Sequence, residues 1–186
     1  MRLAEPRIKP LSDADLNDDQ KEALKPFGSR VLNIFRTLVH APKALTRFNE
    51  WGGYILSRRN DLPPREREIV ILRIGFNCKS GYEWTQHVAI GKREGLTDDE
   101  IARIKKGAGA GWVAKDAVLI KLADELHHDQ FVTDATWKDM RAHYTEKQCM
   151  DAVFTAGQYT QVSMFLNTFG VQLDQGLVLD PDLKRF

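Results

Sequence analysis

No proline occurs between Pro64 and Pro181, whereas prolines at positions 6, 10, 26, 42, 63 and 64 punctuate the first third of the chain. A stretch that long without proline, and without strict apolar/polar alternation, lacks the breaks that short strands need and suits consecutive helices. Helix-start signals recur inside it. Ser80-Gly-Tyr-Glu83 and Thr97-Asp-Asp-Glu100 both have the Ser/Thr-x-x-Glu form of a capping box, and Thr133 and Thr145 read as further N-caps, the latter with Gln148 three residues on. Pro42 and Pro64 suit first turns, and Gly95 suits a left-handed helix end. The pattern predicts helices near 31–40, 42–57, 65–76, 80–95, 97–105, 112–128 and 145–169. Ile69, Val70, Ile71, Leu72 and Ile74 make the third of these apolar on nearly every side, so it is expected at the centre. The short link Asn77–Lys79 makes it antiparallel to its successor. The expectation is an all-α fold of about eight helices spanning 29–186, preceded by a polar, Asp-rich arm over 1–28.

Composition narrows the function classes. With 186 residues, 42% of them hydrophobic, the chain can bury a core without a disulfide or metal staple. Lys+Arg 27 against Asp+Glu 26 leaves +1, no field to attract nucleic acid. No apolar run is long enough to span a membrane. Met1–Pro6 lacks the apolar core of a signal peptide, and two cysteines form no disulfide framework. These features point to a cytoplasmic protein whose partners are neither nucleic acid nor membrane. Trp51, Trp84, Trp112 and Trp137 give material for interfaces between copies.

Chemistry-bearing residues are densest from Glu68 to His87. Glu83 and His87 are four apart, hence on one helix face, where a carboxylate can fix an imidazole's tautomer and form a proton-transfer pair. The same spacing also describes a solvated helical pair, and Ser80 with Glu83 also describes a simple capping box. Glu68 opens the apolar helix, where low dielectric would raise its pKa. Arg73, a cation among aliphatics, can hold a substrate carboxylate or pair with Glu66, Glu68 or Glu83. Metal binding is the weaker reading: Glu83-x-x-x-His87 and His127-His128-Asp129 have no diagnostic spacing, and a helix C-terminus accounts for the two adjacent histidines. Cys78 and Cys149 read as small buried hydrophobes. Gly107, Gly109 and Gly111 follow a helix and lack the Lys-Ser/Thr of a phosphate loop. Gln158, Tyr159, Gln161 and Asn167 give the last helix a polar stripe that can line a pocket or a subunit contact.

The stretch from Arg65 to His87, continued by Gly95-Leu-Thr-Asp-Asp-Glu-Ile101, resembles the carboxymuconolactone decarboxylase family, which includes the alkylhydroperoxidase D branch. Asn33–Pro42 and the final helix, with Gly157, Tyr159 and Asn167, resemble it too. The peroxidase branch has a Glu, eleven residues, Cys-x-x-Cys, then a His four after the second Cys. Here that frame reads Glu68, Ser80, Glu83 and His87, with both thiols replaced. Cys78 is two positions off the frame, so the resemblance implies no thiol peroxidase or disulfide reductase activity, although that activity stands as the alternative within the family. A non-catalytic oligomeric binding protein is the other alternative. The decarboxylase branch, with Glu and His at the positions of Glu83 and His87, fits better. It implies a cofactor-free, metal-free decarboxylase or lactone-processing enzyme acting by acid/base chemistry on a small carboxylated ring or lactone. Glu68, Glu83 and His87 would be catalytic, and Arg73, Cys78, Ser80 and Tyr82 would contact the substrate. The family's habit implies a homo-oligomer, whether dimer, trimer or hexamer.

Overall fold

The computed structural model describes residues 1–184; the last two residues of the expected 29–186 unit lie outside them. Among the described residues there are nine α-helices and no strand: α1 Asp18–Leu24, α2 Asn33–Leu38, α3 Pro42–Ile55, α4 Pro64–Asn77, α5 Gly81–Arg93, α6 Asp98–Lys106, α7 Ala114–Asp129, α8 Asp134–His143 and α9 Glu146–Phe169. Among the described residues no helix is long and apolar enough to cross a membrane.

Helix α4, aliphatic over residues 69–72 and at Ile74, is the central helix, packed mainly against α5, α7 and α9. Ile69, Val70, Ile71, Leu72 and Ile74 are all buried, as the apolar run requires. Its charged first turn stays inside by pairing: Arg65 reaches Asp116 at 2.9 Å and Glu100, and Glu66 accepts from Lys115 at 2.9 Å. Proline at its first position sets the start, and a Schellman turn sets the end. Ser80 N–H donates to Gly75 O at 2.8 Å and Lys79 N–H to Phe76 O at 2.9 Å, with Lys79 left-handed at φ 55°. That corner reverses the chain, and α5 runs antiparallel to α4 with His87 beside Glu68 and Glu83 beside Gly75.

The capping boxes at Thr97/Glu100 and Thr145/Gln148 form, and Thr133 caps α8. The one expected at Ser80 does not. Its hydroxyl makes no cap bond, because Glu83 is drawn into the core instead. The first 28 residues lie along the body: Arg7 and Ile8 N–H groups donate to Phe169 O, and Leu24 packs with Val39 and Leu45. Trp84, expected as interface material, is core, its indole N–H donating to Asp180 at 3.1 Å. Trp112 packs under the Arg103 guanidinium. Trp51 and Trp137 keep an exposed edge.

Candidate active site

Helices α2, α3, α5 and α9 enclose a cavity of about 270 Å³ whose wall is largely aliphatic and aromatic, including Ile34, Phe35, Phe48, Ile55, Val162 and Leu166. α5 is amphipathic in an unusual sense. Its buried face carries Tyr82, Glu83, Gln86 and His87 to the cavity wall, and α9 supplies Gln158 and Tyr159 opposite them.

His87 Nδ1 lies 2.8 Å from Glu68 Oε2, across the α4–α5 contact, and its ring stands edge-on to Tyr159 with centroids 4.8 Å apart. Glu68 is fully buried behind the imidazole, and His87 is among the residues that line the cavity. An ionised Glu68 can only accept, which places the hydrogen of the contact on Nδ1, and in the neutral form of the ring Nε2 on its opposite edge is then the lone-pair nitrogen. The expected Glu83–His87 pair is therefore corrected. Both residues share a face of α5, but each has a closer partner on another helix. Glu83 Oε2 accepts from Ser163 Oγ at 2.6 Å, while its Oε1 has no hydrogen-bond partner. Burial pushes the Glu83 carboxyl well above its ordinary range, Glu68 adds to the rise, and the Ser163 bond pulls the other way. Burial likewise raises the Tyr159 hydroxyl, helped by Glu68 and Glu83.

The expected substrate contacts divide. Tyr82 lines the cavity with its ring, but its hydroxyl donates to Asp174 at 2.5 Å, and Gln86 Nε2 donates to the same carboxylate at 2.7 Å. Burial, with that bond, raises the Tyr82 hydroxyl. Arg73 lies outside the cavity lining, and its partner is none of the three glutamates expected. It grips Asp124 with Nε and Nη2 at 2.5 and 3.0 Å and donates to Ile104 and Lys105 carbonyls at the end of α6. The orphan carbonyls of a helix terminus and a facing carboxylate give that guanidinium its partners. Cys78 and Ser80 also fall outside the cavity lining. Cys78 Sγ lies 3.6 Å from His127 Nδ1, and burial, with Glu83, pushes its thiol up to about 11. Ser80 Oγ is buried without a partner. Among the described residues no three His, Cys, Asp or Glu converge as metal ligands.

Ser163, Asp174 and the α2–α3 wall escaped the sequence reading. Ser163 had a signal, a small polar residue between Val162 and Leu166 on a face that also carries Tyr159. Asp174 had none, since it lies beyond the last helix and reaches Tyr82 and Gln86 only through tertiary packing.

The model of the carboxymuconolactone decarboxylase family matches residues 42–123, which include Glu68, Glu83 and His87. No curated protein matches the chain. Several solved structures share its fold. The alkylhydroperoxidase AhpD core of an uncharacterized peroxidase-related protein from Ralstonia eutropha JMP134 is 19% identical, with a TM-score of 0.76 over 92% of this chain and 95% of that one. An uncharacterized peroxidase-related protein from Silicibacter sp. TM1040 is 15% identical, with a TM-score of 0.73 over 94% and 92%. The debrominase Bmp8, solved in complex with 2,3,4-tribromopyrrole, is 11% identical, with a TM-score of 0.69 over 92% and 94%.

Proposed function

The chain carries a carboxymuconolactone decarboxylase-family segment within an AhpD-like helical fold, and on that premise we propose a cofactor-free acid/base enzyme acting on a small ring or lactone. The observation that carries the reading is the 2.8 Å Glu68–His87 contact at the wall of an apolar cavity. In this mechanism Nε2 of His87 takes a proton from an acidic position of the ring, and Glu68 stabilises the imidazolium that results. The same proton is then returned to another ring atom, so the net change is an isomerisation or ring opening with no external oxidant. The apolar wall excludes water and strengthens the charge interaction inside. Bmp8, solved with a halogenated pyrrole, is a protein of this fold that holds a small ring.

Decarboxylation is the second reading, favoured by the family match. There the substrate's carboxyl proton passes to Nε2 of His87, the carboxylate leaves as CO₂, and the imidazolium returns that proton to the carbon left behind. It is second because Arg73, the cation that would hold the carboxylate, is bound to Asp124. Thiol peroxidase chemistry lacks an attacker, since Ser80 and Glu83 replace both thiols and the Cys78 thiol sits at about 11. The same proposal has the enzyme working in the cytoplasm as a homo-oligomer. Met150, Phe154, Gln161 and Met164 form an exposed stripe along α9 suited to a second copy.

A thermal-shift screen of small lactones and ring compounds tests the reading, because a ligand of the folded state raises Tm by mass action. Compounds that stabilise the wild type should be turned over, and His87→Ala and His87→Gln should lose turnover by about 10²–10⁴. Wild-type turnover in both variants, with their folds intact, would remove His87 from the mechanism.

A further inference from the structure

Among the described residues no Lys or Arg lines the cavity. Tyr82 Oη and Gln86 Nε2 on α5 both donate to Asp174, a residue of the segment that follows α9. The remaining polar wall is neutral: the Tyr159 hydroxyl and the side-chain amides of Asn49 and Gln158. One acceptor in it is orphaned. Gln158 Oε1 is buried on a wall residue of α9 and has no hydrogen-bond partner. The Glu68 contact occupies Nδ1 of His87, so Nε2 of the neutral imidazole is a second acceptor. A carboxylate entering here would meet neutral polar groups and the Glu83 side chain, with no lining Lys or Arg among the described residues to offset its desolvation. A neutral molecule with one O–H or N–H would instead satisfy a buried acceptor that is otherwise unpaired. The size fits one substituted ring, since a cavity of about 150 Å³ already accommodates benzene.

We propose that this cavity selects a neutral, mostly apolar ring bearing one weakly acidic O–H or N–H, of the phenol, enol or azole type, and rejects ring carboxylates. The proposal rests on the reading of the Glu68–His87 site as the reacting centre, and it narrows that reading from small rings and lactones in general to rings that carry a donor. His87 Nε2 then receives the donor's hydrogen bond before any transfer, and Gln158 Oε1 selects the donor's orientation.

Three probes of one shape test it by calorimetry at pH 7: 4-chlorophenol, 4-chloroanisole and 4-chlorobenzoate. 4-Chlorophenol should bind saturably. Methylating its donor should weaken binding about 3–10-fold, the worth of one net hydrogen bond. 4-Chlorobenzoate should bind at least as weakly as the anisole. Gln158→Leu and the double variant Gln158→Leu/His87→Gln, each checked by its melt, should shrink and then erase the preference for phenol over anisole. Equal affinity for phenol and anisole, tighter binding of the benzoate, binding of none of the three, or a preference that survives the double variant would each overturn the proposal. The proton-transfer reading fails separately: turnover retained in His87→Gln would end it even where the phenol preference stands.

Discussion

Glu68 and His87, nineteen positions apart and on different helices, meet at 2.8 Å, while Glu83, one helical turn from His87, turns to Ser163. The contact exists because α4 is buried on every side and α5 doubles back along it, so a carboxylate in the first half of α4 faces the middle of α5. It gives one histidine a fixed partner and leaves the other carboxyl group without a cation. The two glutamates therefore have different electrostatic lives within one site.

Glu83 should make stability fall as pH rises. Its folded carboxyl lies well above the ordinary 4.5, so between 4.5 and that raised value the folded state holds a proton that the unfolded chain has lost. Stability contributed by the neutral acid is present at low pH and is lost as pH climbs through the window. Glu83→Gln keeps an acceptor for Ser163 and removes the titration. Its Tm advantage over the wild type should grow as pH rises above 4.5 toward the raised value. A difference that is flat with pH in paired melts would contradict the assignment.

Gly75 leaves the space that the Glu83 carboxyl occupies. A Cβ there would stand 2.7 Å from Oε1 and 3.3 Å from Cδ of Glu83. Gly75→Ala should cost about 1–3 kcal/mol despite the better helix propensity of alanine. In a Glu83→Ala background the same change should cost clearly less, since the colliding atoms are gone. Denaturant unfolding of the four proteins in that cycle measures the coupling, and additive costs would show that the two residues do not compete for space.

Cys78 should behave as an inert thiol near neutral pH. At a value of about 11, roughly one thiol in ten thousand is ionised at pH 7, and only the thiolate attacks peroxide. The protein should show no turnover of organic peroxides with a dithiol reductant, and Cys78 alkylation followed by mass spectrometry should accelerate steadily up to high pH. Peroxide turnover abolished by Cys78→Ser would reverse this conclusion.

Arg73 is held by Asp124 and the α6 carbonyls away from the cavity, and its removal should be felt in stability alone. Arg73→Met leaves Asp124 without its cation and should cost about 3 kcal/mol, the low end for breaking a largely buried pair. Binding of 4-chlorophenol by the variant should stay at the wild-type affinity at a temperature where the variant is folded. A loss of affinity beyond twofold would return Arg73 to the site.

The helical frame was legible because its signals are local. Thr97 with Glu100, Thr145 with Gln148, Pro64 and Gly95 each act within one turn, and each does in the structure what its chemistry implies. The α4–α5 corner was legible only in direction. Its end is a left-handed Lys79 where glycine would be the usual marker, so the failure of the Ser80 cap left no trace in the sequence. Partner choice was the part that spacing could not supply. Four-residue spacing places Glu83 and His87 on one face, but that face is buried, and α4 and α9 offer each of them a closer partner. Arg73 shows the same limit: a cation among aliphatics must have a partner, and Asp124, fifty-one positions on, is identified only by the packing of α7 on α4. Gln158 and Tyr159 were visible as polar residues on the last helix, whereas Phe35 and Phe48 of the cavity wall look like any core aromatics.

The direct test of the proton-transfer site is the tautomer of His87, read from ¹⁵N–¹H imidazole spectra at about pH 8, where a free histidine is neutral. With Glu68 accepting from Nδ1, the His87 hydrogen should sit on Nδ1, and Nε2 should show the shift of an unprotonated nitrogen that alone moves when 4-chlorophenol is added. In Glu68→Gln the amide can donate instead, and the population should move toward the Nε2–H form. A wild-type His87 that carries its hydrogen on Nε2, unchanged by Glu68→Gln and by the ligand, would contradict a base poised at the cavity.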